Sequence, residues 1–238
     1  MKIRVKFAKR GEMRFIGHLD IMRYFQKAIR RAKVAIAYSE GFSPHQKMSF
    51  AAPLGVGLVS EGEYFDIEVY TSYSSSKMIA ALNEVMAEGI EVLSWKRLPE
   101  QAKNAMSFVA AADYRLTFRE GYQPEKLEDF YQGFLSFLSN DSILTIKKTK
   151  KGERELDLKP FIYQATIEKE GSIFLQVCTG SSNNIKPELV LQTYYEKVLQ
   201  MEMPKFAFQV QRLEIYANIG TEEEKKFVPL EALGDEID

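Results

Sequence analysis

The sequence predicts an α+β protein built as two tandem ferredoxin-like (βαββαβ) units. Two observations lead there. Residues 1–100 run through strand and helix patterns in the order β-α-β-β-α-β. Residues 113–218 repeat that order, with the first strands about 111 residues apart and with almost no matching side chains, so the duplication is one of pattern. A 238-residue chain with 45% hydrophobic and 27% charged residues suits one large or two small globular domains. The expected organisation is a first unit at 1–100, a linker at 101–112, a second unit at 113–218 and an acidic tail at 219–238.

Residues 2–7 alternate Lys2, Arg4, Lys6 with Ile3, Val5, Phe7, the period of a half-buried strand. A turn follows at Arg10, Gly11 and Glu12. Residues 18–33 form a helix: Leu19, Ile21, Met22, Phe25, Ala28, Ile29 and Ala32 mark its apolar stripe, and Arg23, Lys27 and Arg30 share one ridge. A short apolar piece at 34–38 precedes a loop over 41–47. Strands follow at 48–52 and 64–70, separated by a Gly- and Pro-containing turn. A helix over 77–87 and a strand over 90–95 close the unit.

In the second half, strands are expected at 114–118, 143–148 and 173–178, with another within 154–168 broken at Pro160. One helix covers 124–138 and a second opens near Pro187, where proline suits the first turn. The closing strand is 206–216. Residues 102–112 are rich in small side chains and read as the linker, and the tail reads as loosely held. Within it, Phe227, Val228, Leu230 and Leu233 can dock on the body or on a partner.

The composition narrows the chemistry. The single cysteine, Cys178, excludes an intramolecular disulfide and a Cys-ligated cluster held by this chain alone. Two histidines, His18 and His45, make a His/Cys zinc site unpromising, so no metal site and no cofactor is expected. No apolar run reaches the roughly 20 residues of a membrane span, and the N-terminus has no signal-peptide pattern, which points to a cytoplasmic protein without a membrane partner. None of the G-x-S-x-G, H-E-x-x-H or G-x-G-x-x-G patterns is present.

Charge is balanced overall at −1 yet segregated. Residues 1–60 hold twelve Lys/Arg against Glu12, Asp20 and Glu40, whereas residues 219–238 hold seven acids against two lysines. A basic N-terminal segment attracts polyanions, most often nucleic acid, or is simply a solvated face. The candidate nucleic-acid-binding residues are Arg10, Arg14, His18, Arg23, Lys27, Arg30, His45 and Lys47.

His18 begins a helix among arginines, where the dipole disfavours its cation. It serves as a general base, as a ligand contact, or as a cap or buried hydrogen-bonded histidine. In the loop Ser43-Pro44-His45-Gln46-Lys47, Phe42, His45 and Phe50 can stack on bases while Lys47 meets a phosphate, or the loop is rigid and packs on the core. The loop Gly180-Ser181-Ser182-Asn183-Asn184 can hold a phosphate or cap a helix. The segment with Lys147, Lys148, Lys150, Lys151 and Arg154 can track a phosphate backbone or form a solvated hairpin tip.

The runs Phe15-Ile16-Gly17-His18-Leu19-Asp20, Gly41-Phe42-Ser43-Pro44-His45-Gln46-Lys47-Met48-Ser49-Phe50 and Ser60-Glu61-Gly62-Glu63-Tyr64-Phe65-Asp66 resemble the radical-SAM-linked protein family, with Pro53-Leu54-Gly55-Val56-Gly57 between the last two. Glu155-Leu156-Asp157-Leu158-Lys159-Pro160 and Lys186-Pro187-Glu188-Leu189-Val190 also fit, so the resemblance covers most of 1–218. Gln46 stands where the family pattern usually has proline. This is a bacterial domain of unknown function, fused to or encoded beside cobalamin-binding-type radical SAM proteins. It has no settled catalytic residues, so none carries over. The resemblance implies a radical SAM partner, often near RNA-processing genes, and any cluster would belong to that other chain.

Three functions are therefore expected as alternatives. The first is an accessory RNA-binding module, with tRNA a candidate ligand. The second is a metal-independent endoribonuclease using His18 or His45. The third is a protein–protein scaffold for the radical SAM partner. Enzymatic activity of this chain is left open and leans towards none.

Overall fold

The computed structural model describes residues 1–149, 152–180 and 183–238. The fold is mixed α+β, with a large sheet and few helices. The chain divides into two compact units, one made of Met1–Ala111 with Arg212–Asp238 and the other of Ala112–Gln211.

The first unit opens with β1 (Lys2–Lys9), followed by a 3₁₀ turn at Gly11–Phe15 and α1 (His18–Arg31). Then come β2 (Met48–Phe50), β3 (Val59–Glu68), α2 (Ser75–Asn83) and β4 (Ile90–Leu98). The strand order is β4-β1-β3, antiparallel throughout, with β2 antiparallel on the other edge of β3. The alternation in β1 sends Ile3, Val5 and Phe7 into a core with Phe25, Ile29, Phe50, Phe65 and Trp95. Phe25 holds this core together, its ring 4.6 Å from Phe7 and 4.7 Å from Phe65. The chain leaves α1 through Lys33, whose φ of 53° is a left-handed cap.

The second unit opens with β5 (Val109–Phe118), followed by α3 (Leu127–Leu138) and a separate hairpin of β6 (Leu144–Thr149) and β7 (Gly152–Asp157). Next come β8 (Ile162–Ile167), β9 (Ile173–Cys178) and α4 (Pro187–Lys197). Then β10 (Phe208–Asn218) gives the order β10-β5-β9-β8. Phe118, Phe130, Phe134, Tyr194 and Phe208 fill the core, with the Phe118 and Phe208 rings tilted against each other at 4.3 Å.

Two expectations change here. Residues 109–112, read as the end of a linker, begin β5, and Ala111 and Ala112 are fully buried, because small side chains suit a tightly packed strand as well as a loop. The tail is not loosely held. It forms β11 (Phe227–Pro229) on β10 and a 3₁₀ turn at Leu230–Leu233, and Leu230 is fully buried.

The tail and residues 105–108 close over the face of β1 opposite the α1 core. Arg4 is fully buried there: its Nε and Nη2 donate to Asp66 at 2.8 and 2.9 Å, and its Nη1 donates to the Leu230 carbonyl at 3.0 Å. Asp66 also accepts from the Ala105 N–H. Lys6 donates to Glu214 at 2.6 Å and to Glu231 at 2.7 Å. Burial opposes the Lys6 charge, but those two carboxylates outweigh it and raise the Lys6 pKa. β3 comes so close to β10 that a Cβ on Gly62 would lie 2.7 Å from the Glu214 Cα and the Leu213 carbonyl.

Candidate nucleic-acid interface

Helix α1 sorts its residues by period. Ile21, Phe25, Ala28 and Ile29 turn into the core, while Arg23, Lys27, Arg30 and Arg31 stay in solvent. Arg23 faces one carboxylate, Asp20, at 3.5 Å across an exposed pair that screens little charge. Arg30 donates to the Gln26 carbonyl, and Arg31 donates to the Val85 carbonyl with its guanidinium 6.0 Å from the Tyr24 ring. Lys27 has no ion pair or hydrogen bond among the described residues. The ridge over residues 23–31 thus carries four cations, of which, among the described residues, Arg23 alone is ion-paired, with Asp20.

The remaining basic candidates divide. Arg10 is committed to Glu61 and Glu91, and those hydrogen bonds raise its pKa further. Lys47 binds Glu68 at 2.8 Å, which raises the Lys47 pKa and lowers that of Glu68. Arg14 stacks on the Phe15 ring at 4.8 Å, with Glu12 at 3.9 Å. Arg10 and Lys47 are therefore already neutralised by carboxylates of the same unit. Sequence reading missed this because Glu61, Glu68 and Glu91 lie 21 to 81 residues from their partners.

The loop over 41–47 is fastened by Ser39, whose Oγ lies 2.9 Å from His45 Nδ1 and accepts the His45 N–H. Phe42 stands entirely in solvent at its tip. Phe50, expected to stack on a base, is buried against Phe65 and is not available. Met48–Phe50 pairs with β3, which turns its side chain inward.

His18 lines a small cleft of about 250 Å³, mouth included, with Lys9, Phe50, Leu54 and Glu63. Its ring meets Phe50 edge-on at 5.3 Å. Burial lowers its pKa, so the imidazole is neutral at pH 7 through desolvation. Among the described residues no side chain hydrogen-bonds the ring and fixes a tautomer, as a general base requires. Lys9 spends its Nζ on the Ile16 carbonyl at 2.9 Å, and burial lowers its pKa. Glu63 is held by Arg212. Lys9, Glu63 and Arg212 were not singled out in the sequence; the buried end of β1 was the one local signal, for Lys9.

In the second unit, Lys147 and Arg154 face the loop before α4, while Lys150, Lys151, Ser181, Ser182 and the Lys148 side chain lie outside the described residues. No group of three or more His, Cys, Asp or Glu side chains among the described residues is arranged to hold a metal ion. No helix among them is long and apolar enough to cross a membrane.

The fold and the α1 ridge define an α+β protein with a basic helical face. Residues 2–187 match the model of a family described as "Uncharacterized protein conserved in bacteria (DUF2344)", and the chain belongs to that family. No curated protein matches it. Among solved structures, a chain of "Crystal Structure of a Cbf5-Nop10-Gar1 Complex" is similar at 11% identity and a TM-score of 0.48 over 90% of this chain. The match spans about half (48%) of that chain's length, and the likeness carries no functional argument.

Proposed function

We propose that this protein is an accessory RNA-binding module of two tandem ferredoxin-like units, working in the cytoplasm with a radical SAM enzyme in RNA modification or processing. Structured RNA such as tRNA is the ligand. The observation that carries the reading is the α1 ridge, where Arg23, Lys27, Arg30 and Arg31 face solvent and, among the described residues, Asp20 is the one carboxylate ion-paired with them. Such a ridge attracts a phosphate backbone and carries no base specificity of its own. The exposed ring of Phe42 adds a surface on which an unpaired base can stack. The sheet face around Arg4 is closed by the tail and is not the RNA platform.

The strand order fourth-first-third-second in each unit supports the duplicated reading, with the β6–β7 hairpin as an insertion in the second. The radical SAM partner is supported by the motif runs from Phe15 to Asp66, and with one cysteine in this chain the cluster would belong to the partner. Catalysis by His18 or His45 is the weaker reading, since His18 lacks an orienting partner and His45 Nδ1 is engaged by Ser39. A scaffold role through the tail is also weaker, because Leu230 is used inside the first unit.

The test is capture of total bacterial RNA at low salt by the full chain and by the Arg23→Glu/Lys27→Glu/Arg30→Glu variant. Retention by the first and release by the second is the expected result. Equal retention, or none by either, would overturn the reading. Incubation of the captured RNA in chelator with wild type and His18→Ala addresses the enzyme: cleavage lost in the variant would replace the accessory role.

A further inference from the structure

In the second unit the end of β5 meets the start of β10 at Arg119 and Phe206. The Arg119 N–H donates to the Ala207 carbonyl at 2.8 Å, and the Ala207 N–H donates to the Pro204 carbonyl at 3.2 Å. That second bond closes a tight turn, Pro204-Lys205-Phe206-Ala207. Phe206 occupies its third position with a φ of 64°. A turn with positive φ at that position normally carries Gly or Asn, and a bulky side chain in the left-handed region is strained. Burial of the ring does not offset the strain, because Phe206 is 72% exposed.

A cation lies over this ring: the Arg119 guanidinium is 5.9 Å from its centroid. Among the described residues Arg119 makes no ion pair and no side-chain hydrogen bond, and its Nε is closed off from solvent without an acceptor. Buried donors are rarely left in that state. Lys205, beside Phe206 in the turn, is exposed and has no ion pair among the described residues. The contrast with the first unit is direct, since Arg10 and Lys47 there are met by Glu61, Glu91 and Glu68. This corner therefore combines a strained, solvent-facing ring with two cations that lack a counter-charge.

We propose that Phe206 and Arg119, with Lys205, form a nucleotide-binding corner in the second unit. The base stacks on the open part of the Phe206 ring, and Arg119 and Lys205 attract the phosphate. A nucleotide suits both halves of the corner, since every base has a π-face and its phosphate supplies the anion that Arg119 lacks. Stacking of this kind tolerates any base, so the corner reads no sequence by itself. The ligand is a nucleotide with an unpaired base, supplied either by single-stranded RNA or as a free nucleotide. As a contact with RNA the corner rests on the RNA-binding reading; as a contact with a free nucleotide it does not.

The experiment compares the full-length wild type with Phe206→Gly, which removes the ring and relaxes the turn, in two arms. The first measures affinity for a labelled single-stranded RNA, and for the same strand fully paired with its complement, against salt concentration. The second measures the shift in melting temperature on adding adenosine monophosphate. If RNA supplies the nucleotide, Phe206→Gly melts no lower than wild type yet binds the single strand at least about fivefold more weakly, with duplex affinity and salt slope unchanged. If a free nucleotide is the ligand, it raises the wild-type melting temperature and not the variant's, and RNA affinity stays equal. Equal behaviour of the two proteins in both arms overturns the site, and so does a lower melting temperature of the variant with unchanged binding. Arg119→Gln serves if Phe206→Gly does not fold, with a salt slope shallower by about 0.7 expected for the single strand. Running Arg23→Glu/Lys27→Glu/Arg30→Glu alongside separates the two readings. RNA released by that variant but held equally by wild type and Phe206→Gly, with no nucleotide shift, sinks the corner alone. No RNA bound by wild type sinks the α1 reading, and the nucleotide arm then decides the corner.

Discussion

Arg212 and Glu63 form a two-pronged ion pair, with Nε 2.7 Å and Nη2 2.5 Å from the two carboxylate oxygens and both side chains only 4% exposed. They are 149 residues apart, and Arg212 also reaches the Ala52 carbonyl at 3.3 Å beside the His18 cleft. Breaking such a pair leaves one buried charge without its partner. Glu63→Gln is expected to lower unfolding stability by about 3–5 kcal/mol in urea titration. Glu63→Gln/Arg212→Met, which removes both charges, is expected to recover part of that loss. A change below about 1 kcal/mol in the single variant would mean that the pair is solvated in solution.

His18 gives the first unit a pH dependence of known sign. Its pKa in the folded protein lies below the ordinary 6.5 because burial disfavours the cation. As pH falls below 6.5, the unfolded chain takes up a proton that the folded chain refuses, so stability is lost on acidification from there down to the folded pKa. His18→Phe is expected to flatten that part of the stability curve. An NMR titration giving His18 a midpoint at or above 6.5 would contradict the assignment.

The tail is structural in the first unit. Leu230 is fully buried, and its carbonyl receives Arg4 Nη1. Leu230→Ala is expected to cost about 2–5 kcal/mol. Glu231→Gln should cost much less, because Lys6 keeps Glu214. If neither variant shifts the thermal midpoint, the tail does not hold the fold.

Local periodicity carried much of the architecture. The expected strand 173–178 matches Ile173–Cys178, and the helix expected over 18–33 is His18–Arg31. Both have strong apolar patterns that tertiary context does not override. β3 was expected from residue 64 but begins at Val59. Its first residues, Val-Ser-Glu-Gly-Glu, look like a turn; Glu63 is tolerated inside because Arg212 arrives from a strand 149 residues away. The same blindness affected the site. The excess of basic residues was visible, but the division between those already paired, Arg10 and Lys47, and those left in solvent, Lys27 and Arg30, depends on contacts that no local pattern encodes.

That division makes a prediction within the RNA-binding reading. Lys47→Gln removes a lysine already bound by Glu68 and is expected to leave RNA affinity within about twofold of wild type, whereas Lys27→Gln removes one phosphate contact. Filter binding of the two single variants at one salt concentration distinguishes them, and a larger loss for Lys47 would move the interface to the loop over 41–47.

The α1 ridge is tested most directly by the salt dependence of RNA affinity. The full chain should show log K falling linearly with log salt, and Arg23→Glu/Lys27→Glu/Arg30→Glu should flatten the slope by at least about 2, the share of three phosphate contacts. A slope that is unchanged in the variant, or binding that does not respond to salt at all, would contradict the account.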